Sequence, residues 1–234
     1  MALSALNLLA VGIFALALLG TFGPASGISP VVPAATVGAV LAAATADTLA
    51  WQGRGALLLR DGLARLSPQH RERVVRHEAG HFLVAYFLGI PITGYTLSAW
   101  EALRRQYPGV GGVAFDTASL DAGLADGREV RLLLDRFCAV WMAGQAAERK
   151  VYGDARGGRD DRARIRAALG DAGCSAQACQ RKERWATLRA SELLEQYWRA
   201  YEALVAAMAQ RAPVDECCRA IQAHCPGASE RVGS

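Results

Sequence analysis

Lysine is almost missing from this chain: of 26 basic residues in 234, only Lys150 and Lys182 are lysine. Neither follows a Gly-x-x-x-x-Gly pattern, so there is no phosphate loop of the Gly-x-x-x-x-Gly-Lys-Ser/Thr kind and no ATP site built that way. No dense basic run interleaved with aromatics occurs, and a net charge of +4 does not point to a nucleic-acid partner. No charged side chain precedes Asp47 and no basic one precedes Arg54. A cleaved secretory signal normally opens on a basic stretch, so this start favours a spanning anchor. Internal repeats and low-complexity linkers are absent. The six cysteines, Cys138, Cys174, Cys179, Cys217, Cys218 and Cys225, are unevenly clustered and make no regular disulfide framework. Free thiols in a reducing compartment are the favoured reading, with a second metal site from Cys217, Cys218, His224 and Cys225 as the rival.

What is present is apolar. The chain is 52% hydrophobic with mean hydropathy slightly above zero, which suits one globular domain plus membrane segments. Residues 2–23 are uncharged and of bilayer-spanning length. A turn at Gly23-Pro24-Ala25-Ser26-Gly27 leads into a second, Ala- and Gly-rich apolar stretch over 31–50. The expectation is a two-helix membrane anchor over 1–50, in contact with the lipid bilayer. A basic juxtamembrane segment over 51–66 follows, then a soluble domain over 67–234. Arg54, Arg60, Arg65, Arg71, Arg73 and Arg76 put the second part on the cytoplasmic (or stromal) face by the positive-inside rule.

The chemistry concentrates in Arg76-His77-Glu78-Ala79-Gly80-His81-Phe82. Residues four apart share a helix face, so His77 and His81 can aim both imidazoles at one point, with Glu78 beside it. Two imidazoles suit Zn2+, and a carboxylate next to a zinc-activated water is the general base of a metallopeptidase. Chance occurrence and solvated polar residues are the bland alternatives. Against the second, Val74, Val75, Phe82, Leu83, Val84 and Phe87 surround the motif, and buried His and Glu are costly unless paired or bound to a metal.

Ser67 as N-cap and Pro68 predict a helix running through the motif to about Leu88, ended by Gly89 and Pro91. Residues 91–96 and 112–115 read as short strands, joined by a long segment containing Tyr107-Pro108-Gly109. Residues 116–127 read as loop with a short helix. Further helices are expected over 129–152, from Asp160, over 181–211 and over 214–223. The fold class is mainly α: two N-terminal membrane helices, then a helical zincin-like peptidase domain with a small β edge.

A zinc peptidase site needs a third protein ligand. His70 lies two helical turns before His77, and His224 sits in a peripheral stretch, which leaves acids. His77-Glu78-Ala79-Gly80-His81, then Ala143 to Glu148, then Gly157-Gly158-Arg159-Asp160-Asp161 follow the order found in the peptidase domain of FtsH-type membrane zinc proteases. The chain resembles that family from about Ser67 to Arg166, and in particular its short, ATPase-less members in cyanobacteria and plastids. Ala143 to Glu148 resembles the family's Gly-Gly-Arg-Ala-Ala-Glu, with Ala and Gln at its first and third positions. The resemblance implies Asp161 as third ligand beside His77 and His81, with Asp160, which replaces the family's Asn, as the alternative. It implies Glu148 as a residue supporting the site, where the rival is an exposed helix charge. It also implies Gly112, Val113, Ala114 and Phe115 as the edge strand along which an extended protein or peptide substrate lies. The family's ATPase domain has no counterpart, so partners would be further copies or an ATPase-bearing relative.

Two other classes compete. A site-2-type intramembrane protease would place His-Glu-x-x-His within a membrane helix, but Arg71, Glu72, Arg73 and Arg76 are too charged for the bilayer, and Asp126-Gly127 stands in a polar stretch. A non-catalytic adaptor subunit of an FtsH-type protease would normally have lost a ligand or the base, and here both are present.

Overall fold

In a computed structural model of the chain, residues 5–27, 29–50, 54–64, 67–106, 111–116 and 129–225 are described. Tyr107-Pro108-Gly109, Val110, most of the expected 116–127 loop with its Asp126-Gly127, and both ends of the 51–66 segment lie outside them. The chain is mainly helical and divides into two compact units, Met1–Leu66 and Ser67–Ser234.

The first unit holds α1 (Ala5–Phe22), a 3-10 turn at Pro24–Ser26, α2 (Val31–Ala50) and α3 (Arg54–Ala64). At 20 residues α2 is about 30 Å long, the thickness of a bilayer's hydrocarbon core. It is the one helix among the described residues long and apolar enough to cross a membrane. Two such helices are expected from sequence, but the apolar part described in α1, Val11–Phe22, is shorter. Within the basic segment after α2, residues 54–64 are helical. Asp47, the lone charge in α2, accepts a 2.7 Å hydrogen bond from the Gly55 amide and so caps the first turn of α3.

The second unit is built on α4 (Pro68–Phe87). Ser67 Oγ accepts from the His70 amide at 3.4 Å, and Gly89, at φ +69, turns the chain out of the helix. Next come β1 (Ile92–Thr96), α5 (Ala99–Arg104) and β2 (Gly112–Phe115). The strands pair antiparallel, Thr96 opposite Gly112 and Ile92 opposite Phe115, with an irregularity between Ile92 and Gly94. Then follow α6 (Glu129–Tyr152), α7 (Arg159–Asp171), α8 (Ala176–Gln196), α9 (Trp198–Ala209) and α10 (Val214–Ala223).

The single helix expected over 181–211 is two. Ser175 caps α8 early, its Oγ accepting from the Ala178 amide. At the other end Tyr197, at φ −112 and ψ 34, interrupts the run while its ring stacks on Phe87 with centroids 3.6 Å apart. No proline or glycine marks that break; a packing contact with α4 accompanies it. Tyr201 adds a second tie, its hydroxyl donating to the Arg76 carbonyl at 2.9 Å, and Arg76 reaches Glu202 at 2.9 Å.

Phe82, Leu83 and Val84 of α4 and Phe137, Val140 and Ala143 of α6 lie fully in the core. These helices approach closely at small residues. A Cβ on Gly80 would stand 2.7 Å from the Ala143 carbonyl oxygen and 2.9 Å from the Ala147 methyl. Gly80→Ala therefore forces α4 and α6 apart and should destabilise the chain by about 1–3 kcal/mol. Gly170, in α7 with nothing within 4 Å of an added Cβ, is the control. Gly170→Ala should be neutral or gain up to about 1 kcal/mol from helix propensity. Thermal or urea denaturation of the two variants beside the parent measures both, and equal stabilities would refute the close-approach account.

Candidate metal centre

Helical periodicity places Arg73, His77, Gly80 and His81 on the side of α4 that meets α6 and the start of α7. His77 and His81 are buried, their rings edge to face with centroids 4.8 Å apart. His81 Nδ1 lies 2.7 Å from the Val140 carbonyl oxygen. His77 Nδ1 lies 2.7 Å from Glu148 Oε1. Both partners only accept, so each Nδ1 carries its hydrogen and each Nε2 is turned the other way.

Both Nε2 atoms meet the same oxygen. Asp161 Oδ2 is 3.3 Å from His77 Nε2 and 3.5 Å from His81 Nε2. Ligand atoms about 2.0–2.1 Å from a tetrahedral ion lie roughly 3.3 Å from one another, so this spacing fits one small cation. His77, His81 and Asp161 form a buried group that could hold a metal ion, their ligand atoms all within 4.8 Å. Asp160, the alternative from sequence, is exposed and one helix step away from the histidines.

Glu148 is buried, not an exposed helix charge. Besides His77, it accepts from Arg73 Nε at 2.6 Å and from the amides of Arg156 and Gly157 at 2.9 and 3.1 Å. Burial alone favours its neutral acid, but His77, the Arg156 amide and Arg73 outweigh that and hold its pKa at about 2. Asp161 stands well below the usual carboxylate range, burial being overcome by His81 and His77. Burial would lower the pKa of His77, yet the carboxylates of Asp161 and Glu148 lift it to about 10.

The glycines around the site are there for room. A Cβ on Gly144 would collide with the His77 ring, and one on Gly157 would stand 2.6 Å from Glu148 Oε1 and 2.9 Å from His77. Gly158, at φ +82, lies against Gln145, whose Nε2 donates to the Gly158 carbonyl at 2.8 Å and ties α6 to the turn before α7.

Glu78 is half-buried and not part of the ligand group. Its Oε2 accepts the Val113 amide of β2 at 3.1 Å. Of the strand implied by the resemblance, Gly112 and Val113 approach Glu78, while Ala114 pairs with Gly94 and Phe115 packs edge to face on Phe137.

The other sequence candidates lie elsewhere. His70 is exposed near the start of α4, and His224 Nδ1 is engaged by the Ala220 carbonyl. The six cysteines are free. Burial pushes Cys138 up to about 12 and Cys217 up to about 11, so both stay protonated thiols. Among the described residues no group of three or more ligating side chains joins Cys217, Cys218, His224 and Cys225. Sequence reasoning missed Arg73, whose guanidinium also pairs with the Asp154 carboxylate and stacks over Tyr152. The available signal was its position four residues before His77 on the same face.

Two outcomes follow for metal binding. With its pKa raised to about 10, His77 holds a proton at neutral pH that a cation on Nε2 must expel. Affinity should climb about tenfold per pH unit through neutrality, with about one proton released per ion. Calorimetry in buffers of different ionisation enthalpy reads this directly; a pH-independent affinity would contradict it. Glu148→Gln removes the charge that fixes the His77 tautomer and should weaken binding about 10–100-fold in a chelator competition. No protein-family model matches this chain, and no curated protein is significantly similar to it.

Proposed function

We propose that the chain is a membrane-anchored zinc metalloendopeptidase of FtsH-like type, acting on extended segments of membrane or unfolded proteins. The observation that carries this is the meeting of His77 Nε2, His81 Nε2 and an Asp161 oxygen, with Glu78 next to His77 in the chain and outside that set. Two imidazoles and one carboxylate, buried and backed by their own hydrogen-bond partners, are donors suited to zinc. Bound there, zinc supplies a water that ionises near neutral pH and a positive charge for the scissile carbonyl.

The chain's own groups do the rest. Glu78 holds the Val113 amide through Oε2, which leaves Oε1 to take a proton and return it to the leaving amine. Glu148 and the Val140 carbonyl keep both imidazoles in the tautomer that offers Nε2. In this reading β2 receives the substrate backbone by strand addition, next to Glu78. The reading takes the second unit as zincin-like. It takes α1 and α2 as a two-helix anchor with the second unit on the cytoplasmic or stromal side, as the run of arginines from Arg54 to Arg76 favours. With no phosphate-loop motif in the chain, force for unfolding substrates would come from an ATPase-bearing partner.

Metal content and casein cleavage of the detergent-solubilised full chain, beside Glu78→Gln, test this. Roughly one zinc per chain is expected. Glu78→Gln should keep the zinc and lose cleavage by about 100-fold or more. Zinc without cleavage in either protein would make the chain an adaptor. A folded chain that takes up no zinc would sink the reading.

A further inference from the structure

On the second unit, a groove of about 520 Å³ opens between α6, α7 and α8, lined by Met142 and Leu188 and by Arg149, Arg166, Arg184 and Glu183. Three guanidinium groups line the groove and only one carboxylate does. Glu183 is engaged by Arg166 at 3.6 Å, while Arg149 and Arg184 make no ion pair among the described residues. All three arginines are exposed. The groove is therefore cationic and open, with apolar atoms in its wall.

The adjoining side of α8 continues the pattern. Arg181, Arg184, Trp185 and Leu188 follow one another at helical spacing, so they form one exposed stripe. Trp185 is 43% exposed and Leu188 65%. The Lys182 ammonium lies 4.7 Å from the Trp185 ring centre and is itself paired with Asp135. The next acids along the stripe, Glu192 and Glu195, are engaged by Arg189 and Lys150. A tryptophan and a leucine set among exposed arginines suit the bilayer interface. There the ring lies at headgroup level, the leucine enters the acyl boundary and the guanidinium groups meet phosphates. A second copy packed two-fold on this face would set arginines against arginines. The chain also carries a helix of membrane-spanning length and composition, so lipid is the partner at hand.

We propose that this face docks on an anionic membrane surface, with a lipid phosphate seated among Arg149, Arg166 and Arg184 and with Trp185 and Leu188 entering the headgroup layer. The docking is independent of the metal centre and shares only the membrane anchor with the proposed protease. It holds one face of the unit against lipid, in addition to the tether.

The test is quenching of tryptophan fluorescence by brominated acyl chains. The full chain is reconstituted in phosphatidylcholine vesicles with or without phosphatidylglycerol, and Trp185→Phe is subtracted to isolate Trp185. Quenching of Trp185 is expected in the anionic vesicles and should be largely relieved by high salt or by phosphatidylcholine alone. Each of Arg149→Gln, Arg166→Gln and Arg184→Gln should lower the docked-to-undocked ratio about fivefold, and the triple change about a hundredfold. An unquenched Trp185 in anionic vesicles would overturn the proposal, as would quenching indifferent to lipid charge and salt. Shielding that grows with protein density whatever the lipid would assign the face to a second copy instead. Alkaline extraction reads the anchor separately: a chain that washes out but still shows charge-dependent quenching keeps the docking face and loses the anchor.

Discussion

A carboxylate with almost no exposed surface has to be met by hydrogen-bond donors, and Glu148 is met by the His77 ring, the Arg73 guanidinium and the amides of Arg156 and Gly157. Most of the site's geometry follows from satisfying that one buried charge. The amides draw the turn after α6 back over the end of that helix, which sets where α7 begins. The ring fixes its tautomer and turns its far nitrogen toward α7. The guanidinium ties the first half of α4 to the same point. Removing any one donor leaves a buried charge short of partners, so these contacts support one another.

Such proximity is possible only where side chains are nearly absent. Gly80 lies against Ala143 and Ala147, Gly144 beneath the His77 ring, and Gly157 against both Glu148 and His77. A glycine costs conformational entropy in a helix, and here the cost is offset by polar contacts that a methyl group would block. The apolar residues on either side, Phe82, Leu83, Phe137 and Val140, exclude water and so strengthen the electrostatics between the imidazoles and their carboxylates.

The β edge belongs to the same construction. The Val113 amide is held by Glu78, so the strand's position and the orientation of that carboxylate are set by one contact. Behind the strand, Tyr95 donates to the Ala212 carbonyl at 2.5 Å, and Arg211 pairs with Glu101 at 2.9 Å. Those ties fasten β1 and α5 to the turn between α9 and α10. The C-terminal helices thus support the edge beside Glu78 without contributing a ligand.

The sequence alone determined what depends on the backbone's local period and on residues nearby in the chain. Ser67, Pro68, Gly89 and Pro91 bound α4, and the four-residue spacing of His77 and His81 puts both on one face whatever surrounds them. The apolar composition of α2 and the helical period of α6 were legible for the same reason. Only the tertiary structure decided which of two adjacent acids meets the histidines, because Asp160 and Asp161 differ by one helix step and the contact spans 84 residues. The burial of Glu148, 71 residues from His77, was decided there as well, as were the hold of Val113 on Glu78 and the break at Tyr197 against Phe87. These depend on how closely two helices approach and on what their surfaces then enclose, and no local periodicity encodes that.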